Sequence, residues 1–330
     1  MQAKVLIYNT TGTSSVNLTN CTETIIDVSG TNYRGATCTY PGGLPVSINK
    51  YNVSLTSSWH NATYILPNSF TIYQSTMQNF TTTDCTNLAE STASIDHRTL
   101  LKDNRDGKFY NVSKLADGNC WMVSNLALDG GRTLHTSDSN VTQDRVLPGN
   151  ISNGTPSKYD EAQIYSGNAN STTTSCNSSY LYCIVNNTNK YGNLYNWNAA
   201  TATIGKQATT GTVTESVCPK GWQLPNNTGT KSFNTLMSAY SLPTTNGNSA
   251  AHNAAVRTIQ QAPLNFSLAG HYNNLSIGEA RFANYWSRIV FTDNVNTAYN
   301  LLFNSEYGVF YPQSNYDKYY GFSVRCVFGS

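Results

Sequence analysis

The sequence predicts a β-rich α+β chain, with an immunoglobulin-like β-sandwich over residues 1–82 and a larger second domain over 83–330. Three observations lead there. Short segments rich in Val, Ile, Tyr and Thr alternate apolar and polar residues, as in Tyr51-Asn52-Val53-Ser54-Leu55, which is the period of a half-buried strand. Gly, Pro and Asn punctuate these segments. Eight cysteines, none in a CxxC unit, point to a scaffold closed by disulfides.

In the front domain the expected strands are Lys4–Tyr8, Thr24–Val28, Tyr51–Thr56, Ala62–Leu66 and Ser69–Tyr73. Thr31-Asn32, Pro41-Gly42-Gly43 and Pro67-Asn68 are read as the turns between them. An immunoglobulin-like sandwich needs about seven strands, so a missing one is expected to come from another subunit by strand addition. The polar stretch Thr81–Asp84 is read as the boundary. Beyond it, helical spacing predicts short helices over Asn196–Thr203, Ser232–Tyr240 and His252–Gln260, the second capped by Ser232 or Thr230. Residues 133–190 are rich in Ser, Asn and Thr and read as long surface loops.

The cysteines are Cys21, Cys38, Cys85, Cys120, Cys176, Cys183, Cys218 and Cys326. Eight allow 105 pairings. Nearest-neighbour pairing gives Cys21–Cys38, Cys85–Cys120 and Cys176–Cys183, which leaves Cys218–Cys326 to close a long loop. Structural disulfides persist in oxidising compartments, so the expected location is extracellular, at the cell surface. The start, Met1–Ile7, lacks the apolar core and cleavage site of a secretory signal, so any such signal is expected upstream, already removed. No apolar run spans a bilayer, and a net charge of +2 with only 12% charged residues gives no nucleic-acid footprint.

N-x-[ST] acceptors stand at Asn9, Asn17, Asn20, Asn52, Asn61, Asn79, Asn111, Asn140, Asn150, Asn153, Asn170, Asn177, Asn186, Asn226, Asn265 and Asn274. That is more than the roughly nine this composition yields by chance, and the motif marks exposed loops of secreted chains. N-linked glycans are therefore expected, and none falls after Asn274.

An ordered set of motifs runs through the second domain. Asp103-Asn104-Arg105-Asp106-Gly107-Lys108-Phe109-Tyr110 has the form of a hairpin. Then come Cys120-Trp121-Met122-Val123-Ser124-Asn125-Leu126 and Tyr191-Gly192-Asn193-Leu194-Tyr195-Asn196-Trp197. Cys218-Pro219-Lys220-Gly221-Trp222-Gln223-Leu224-Pro225, Tyr285-Trp286-Ser287 and Ser323-Val324-Arg325-Cys326-Val327 complete the series. Together they resemble the Fibrobacter succinogenes major paralogous domain family over residues of about 97–329. The resemblance implies a C-type-lectin-like fold with long loops, in which the two ends of the domain meet. It also implies a secreted or surface-displayed bacterial protein, and an enzymatic activity is not part of what it implies. The four tryptophans of these motifs are expected in the core. Arg325 is expected to pair with a carboxylate such as Asp106 or Asp317.

A search for chemistry finds no catalytic pattern. His60, His97, His135, His252 and His271 lie in unrelated contexts, and no HExxH, GxSxG, P-loop or paired-carboxylate motif occurs. Asp293-Asn294 and Asp138-Ser139-Asn140 read as turns, so neither a metal nor any other cofactor is expected. The one binding signal is the run holding Tyr307, Tyr311, Tyr316, Tyr319 and Tyr320. Tyrosine offers a rigid apolar face and a hydroxyl, which suits sugars and protein interfaces. Strand alternation places only part of this set on one face. The functional expectation is a non-enzymatic glycosylated subunit of a surface fibre or coat, or an adhesin. Its partners are then further copies of itself, joined head-to-tail or by strand exchange, or a surface protein or glycan. The alternative is a carbohydrate-binding, lectin-like module.

Overall fold

A computed structural model describes residues 76–92, 97–149, 191–203, 210–272 and 281–329, and the backbone alone of further strands outside those ranges. The chain divides into two units, Met1–Gln74 and Ser75–Ser330.

In the first unit six strands are described: β1 (Ala3–Asn9), β2 (Ser15–Leu18), β3 (Cys21–Val28), β4 (Thr31–Cys38), β5 (Tyr51–Ser57) and β6 (Ala62–Phe70). They form an antiparallel sheet of order β2-β1-β5-β6 and the antiparallel hairpin β3–β4, whose register sets Cys21 opposite Cys38. Two expectations change here. Thr31-Asn32 opens β4 rather than making the turn. Pro67-Asn68 lies inside β6, where the register to β5 slips between Tyr51 and Val53. Proline lacks the N–H that a ladder needs and is tolerated on an edge strand or at a bulge, and β6 offers both. Strand β1 pairs on both sides, with β2 and with β5.

The second unit opens with a 3-10 turn at Met77–Asn79 and helix α1 (Thr82–Asn87). The Thr-rich stretch read as a boundary is thus the start of α1. Thr81 Oγ1 accepts from the Asp84 amide at 3.2 Å and Asp84 answers on the Thr81 amide at 2.8 Å, a reciprocal capping box. Strands β7 (Thr99–Lys102), β8 (Phe109–Lys114) and β9 (Cys120–Met122) follow, with Tyr110 and Val112 of β8 buried and Phe109 exposed, as alternation requires. Further along lie β10 (Thr133–Leu134), β11 (Arg145–Val146), β12 (Asn150–Ile151), β13 (Ile164–Tyr165), β14 (Leu194–Tyr195), α2 (Trp197–Ala200) and β15 (Trp222–Gln223). Next come α3 (Phe233–Ala239), α4 (Ala250–Ile259), β16 (Tyr272–Asn273), β17 (Ser276–Ile277) and β18 (Phe282–Val290). The chain closes with β19 (Thr297–Asn304), β20 (Val309–Asp317), β21 (Phe322–Ser323) and β22 (Val327–Phe328). All three expected helices are present. Ser232 caps α3 through its hydroxyl, 3.0 Å from the Thr235 amide.

Two sheets organise this unit, one of order β15-β22-β9-β8-β7 and a longer one of order β12-β13-β14-β21-β18-β19-β20. Between them the core holds Trp121, Phe233, Leu236, Phe266, Tyr285 and Phe303, joined by residues of α3 and α4. Trp121, Trp197, Trp222 and Trp286 are all buried, and each indole N–H finds an acceptor: the Asp117 carboxylate and the carbonyls of Ser287, Met77 and Tyr195. Gly192 takes φ +74°, and a Cβ there would lie 2.5 Å from the Leu126 carbonyl oxygen, so only glycine fits.

Cys85–Cys120 and Cys218–Cys326 are disulfides, and among the described residues no cysteine is free. Cys176–Cys183 lies outside the described residues. Arg325 does not meet a carboxylate. Its guanidinium is buried, donating to Asn125 Oδ1 at 2.9 Å, to the Leu264 carbonyl at 2.7 Å and to the Asn265 carbonyl, with Phe266 stacked 4.0 Å away. The fork of donors suits several fixed carbonyls at once, and the chain end it anchors carries no acid within reach. The buried carboxylate of Asp103 pairs instead with Arg105 at 2.7 Å, inside the β7–β8 hairpin turn.

Candidate contact face

Strands β18, β19 and β20 run antiparallel, and the pleat divides their side chains. Ala283, Tyr285, Leu301, Phe303 and Phe310 face the core. The other face carries Asn284, Trp286, Asn300, Leu302 and Asn304. On β20, Tyr311 pairs with Leu302 and Tyr316 with Ala298, so both lie on that second face. Five positions apart, regular alternation would have separated them. The register slips by one residue between Asn300 and Leu302, and this bulge returns Tyr316 to the face of Tyr311.

The turn after β20 brings two more tyrosines in. Tyr316 and Tyr320 have ring centroids 5.4 Å apart, Tyr319 and Tyr320 4.8 Å, and Tyr316 and Phe322 5.6 Å. Phe322 lies against Trp286 at 4.2 Å. His271 joins from the other side, 6.0 Å from Tyr320 and 5.4 Å from Phe282. Tyr311, Tyr316, Tyr319, Tyr320 and His271 are all half-buried. Of the expected set only Tyr307 stands apart, in the β19–β20 turn, where it is 64% exposed and its amide donates to Asn304 Oδ1.

Electrostatically the face is quiet. Burial pushes the Tyr316 hydroxyl above its usual range, helped by Tyr320 and Tyr311. Burial also lowers the His271 imidazole, which keeps it neutral at pH 7. The same face of these strands carries the buried amides of Asn284, Asn300 and Asn304. Asn300 Nδ2 donates to Asn284 Oδ1 at 2.8 Å, whereas Asn300 Oδ1, Asn304 Nδ2 and His271 Nδ1 have no partner among the described residues. The sequence reading missed these amides and His271. Their signal was three asparagines in otherwise apolar strands.

Lys318, in the turn between Tyr316 and Tyr320, is fully buried. Its Nζ donates to the Val295 carbonyl at 2.6 Å and sits 4.4 Å from the Trp197 ring centroid. Burial pulls its pKa down from 10.5 to about 8. Between these values the unfolded chain binds more protons than the folded one, so stability rises with pH. From pH 8 to 10 the expected gain is about 2 kcal/mol, read as the difference between wild type and Lys318→Met in urea unfolding. Equal pH dependence of the two proteins would contradict it.

Two described histidines outside this face serve local structure. His135 Nδ1 pairs with Asp144 at 2.8 Å on an exposed hairpin. His252 bridges Ser249 Oγ and the Thr245 carbonyl at the start of α4.

With this geometry in place, the comparisons are informative. The sequence pattern of the Fibrobacter succinogenes major domain family matches residues 116–327. The chain belongs to this family. No curated protein and no solved structure matches the chain. The match takes in strands β9–β21, the whole of the Cys218–Cys326 bridge, Cys120 of the other bridge and every tyrosine of the face. The tyrosine-bearing strands β18–β20 thus lie within the Fibrobacter succinogenes major domain, whereas β1–β6, α1 and the β7–β8 hairpin precede the matched residues.

Proposed function

We propose that this chain is a non-enzymatic extracellular surface protein, a glycosylated fibre or coat subunit or an adhesin, that makes its contacts through the tyrosine face of the long sheet. The observation that carries the reading is the gathering of Tyr311, Tyr316, Tyr319 and Tyr320 on one half-buried, low-charge face. Two disulfides support an oxidising location. No described helix is long and apolar enough to cross a membrane. His135, His252 and the Asp103–Arg105 pair have structural partners, which supports binding over turnover. The pairing of β22 with β9 brings the domain's two ends together and supports the C-type-lectin-like architecture. The antiparallel strands of the first unit support the immunoglobulin-like one. In the four-stranded sheet of the first unit β2 and β6 are the edge strands, which supports strand addition by another copy there.

The test is retention. Labelled full-length protein is expected to coat intact cells or to sediment as assemblies. Protein that stays monomeric and unbound at high concentration would reject the reading.

Within this proposal the sugar sites are selective. Asn79 is exposed. Asn140, Asn226 and Asn265 already use Nδ2, the atom a glycan occupies, to donate to Thr214, Thr230 and Pro263 carbonyls at 3.1, 2.8 and 3.1 Å. Glycopeptide mass spectrometry is expected to find sugar at Asn79 and none at those three. Occupancy of Asn265, whose carbonyl also holds Arg325, would contradict the folded geometry.

A further inference from the structure

The geometry points to an uncharged saccharide as the ligand of the tyrosine face, an inference that rests on the contact reading above and names its partner. Three features of the face select that chemistry. The first is ring presentation. The rings of Tyr316 and Tyr320 meet at 66° and that of Tyr320 lies 6.0 Å from His271, so apolar ring faces and polar groups are set close together. A pyranose has the same character, with C–H faces and hydroxyl rims.

The second feature is unmet hydrogen bonding. Asn300 stands opposite Ser314, between Tyr311 and Tyr316 along β20. Its Oδ1 lacks a donor, Asn304 Nδ2 lacks an acceptor, and His271 Nδ1 lacks either, all among the described residues. Buried polar atoms are rarely left so, because each unmade bond costs free energy. A sugar hydroxyl both donates and accepts, which is the chemistry these three atoms lack.

The third feature is charge. The ammonium of Lys318 is directed to the Val295 carbonyl and the Trp197 ring. Arg281 is held by Glu306 at 2.7 Å beside the far turn. Asp317 follows Tyr316 on the strand and therefore points to the opposite face. Among the described residues of the face, no cation is aimed at an acidic sugar. No sequon follows Asn274, so the chain's own N-linked glycans do not originate on these strands.

The test uses full-length protein, a glycan array of neutral and acidic oligosaccharides, and calorimetry with the best neutral hit. Neutral glycans are expected to bind. Tyr316→Ala is expected to weaken binding at least about tenfold, as loss of one stacked ring should. Tyr320→Phe keeps the ring and should lose less, while Tyr307→Ala, in the distant turn, should leave affinity unchanged. Binding that prefers acidic glycans, or that survives Tyr316→Ala in a folded protein, overturns the inference. So does undiminished retention on cells stripped of surface glycans, which would leave the contact reading standing with a protein partner. Absence of both retention and glycan binding would remove the two together.

Discussion

Replacing Cys218 and Cys326 together by alanine is expected to lower stability by about 4–5 kcal/mol, the largest effect of any single disulfide described. The bridge spans 108 residues, and closing so long a loop removes much of the unfolded chain's entropy. Both sulfurs are buried, and the backbone around them is tied in, with the Met122 amide donating to the Cys326 carbonyl at 2.9 Å. Cys85–Cys120 spans 35 residues, and the same argument gives it about 3.8 kcal/mol. Urea unfolding of the two double variants should therefore rank Cys218/Cys326 as the more damaging. The reverse order would mean that local strain, not loop entropy, sets the contribution.

Arg325→Met is expected to cost about 3–5 kcal/mol, because it strands buried acceptors around a vanished cation. Asn125 Oδ1 and the Leu264 carbonyl are buried where they accept from the guanidinium, and the Asn265 carbonyl, partly buried, accepts as well. Arg325→Lys should recover little, since an ammonium cannot reproduce the planar fork or its stacking on Phe266. Soluble yield and urea midpoint give the measurement. A lysine variant as stable as wild type would show that charge alone is what the site requires.

These two cases show where sequence reading succeeds and stops. The order of motifs was legible because the residues that make them are individually distinctive: four tryptophans, Gly192 at a positive φ, and cysteines whose spacing allowed a simple pairing. Ser232 was legible as a cap because its signal is local. The partner of Arg325 was not, since it is chosen by a loop some sixty residues away in the chain. Strand alternation likewise could not show that Tyr311 and Tyr316 share a face, because the deciding bulge depends on pairing with β19. Pro67-Asn68 carried a strong turn signal, yet an edge strand with a register slip absorbs it. The asparagines on that face were visible as letters, but their burial was not.

A census of thiols in protein recovered from its native cells bears most directly on the whole account. Peptide mapping without reductant is expected to return no free sulfhydryl, with Cys85 linked to Cys120 and Cys218 to Cys326. Reduced cysteines at these four positions would place the chain in a reducing compartment and contradict a surface-exposed, contact-making protein.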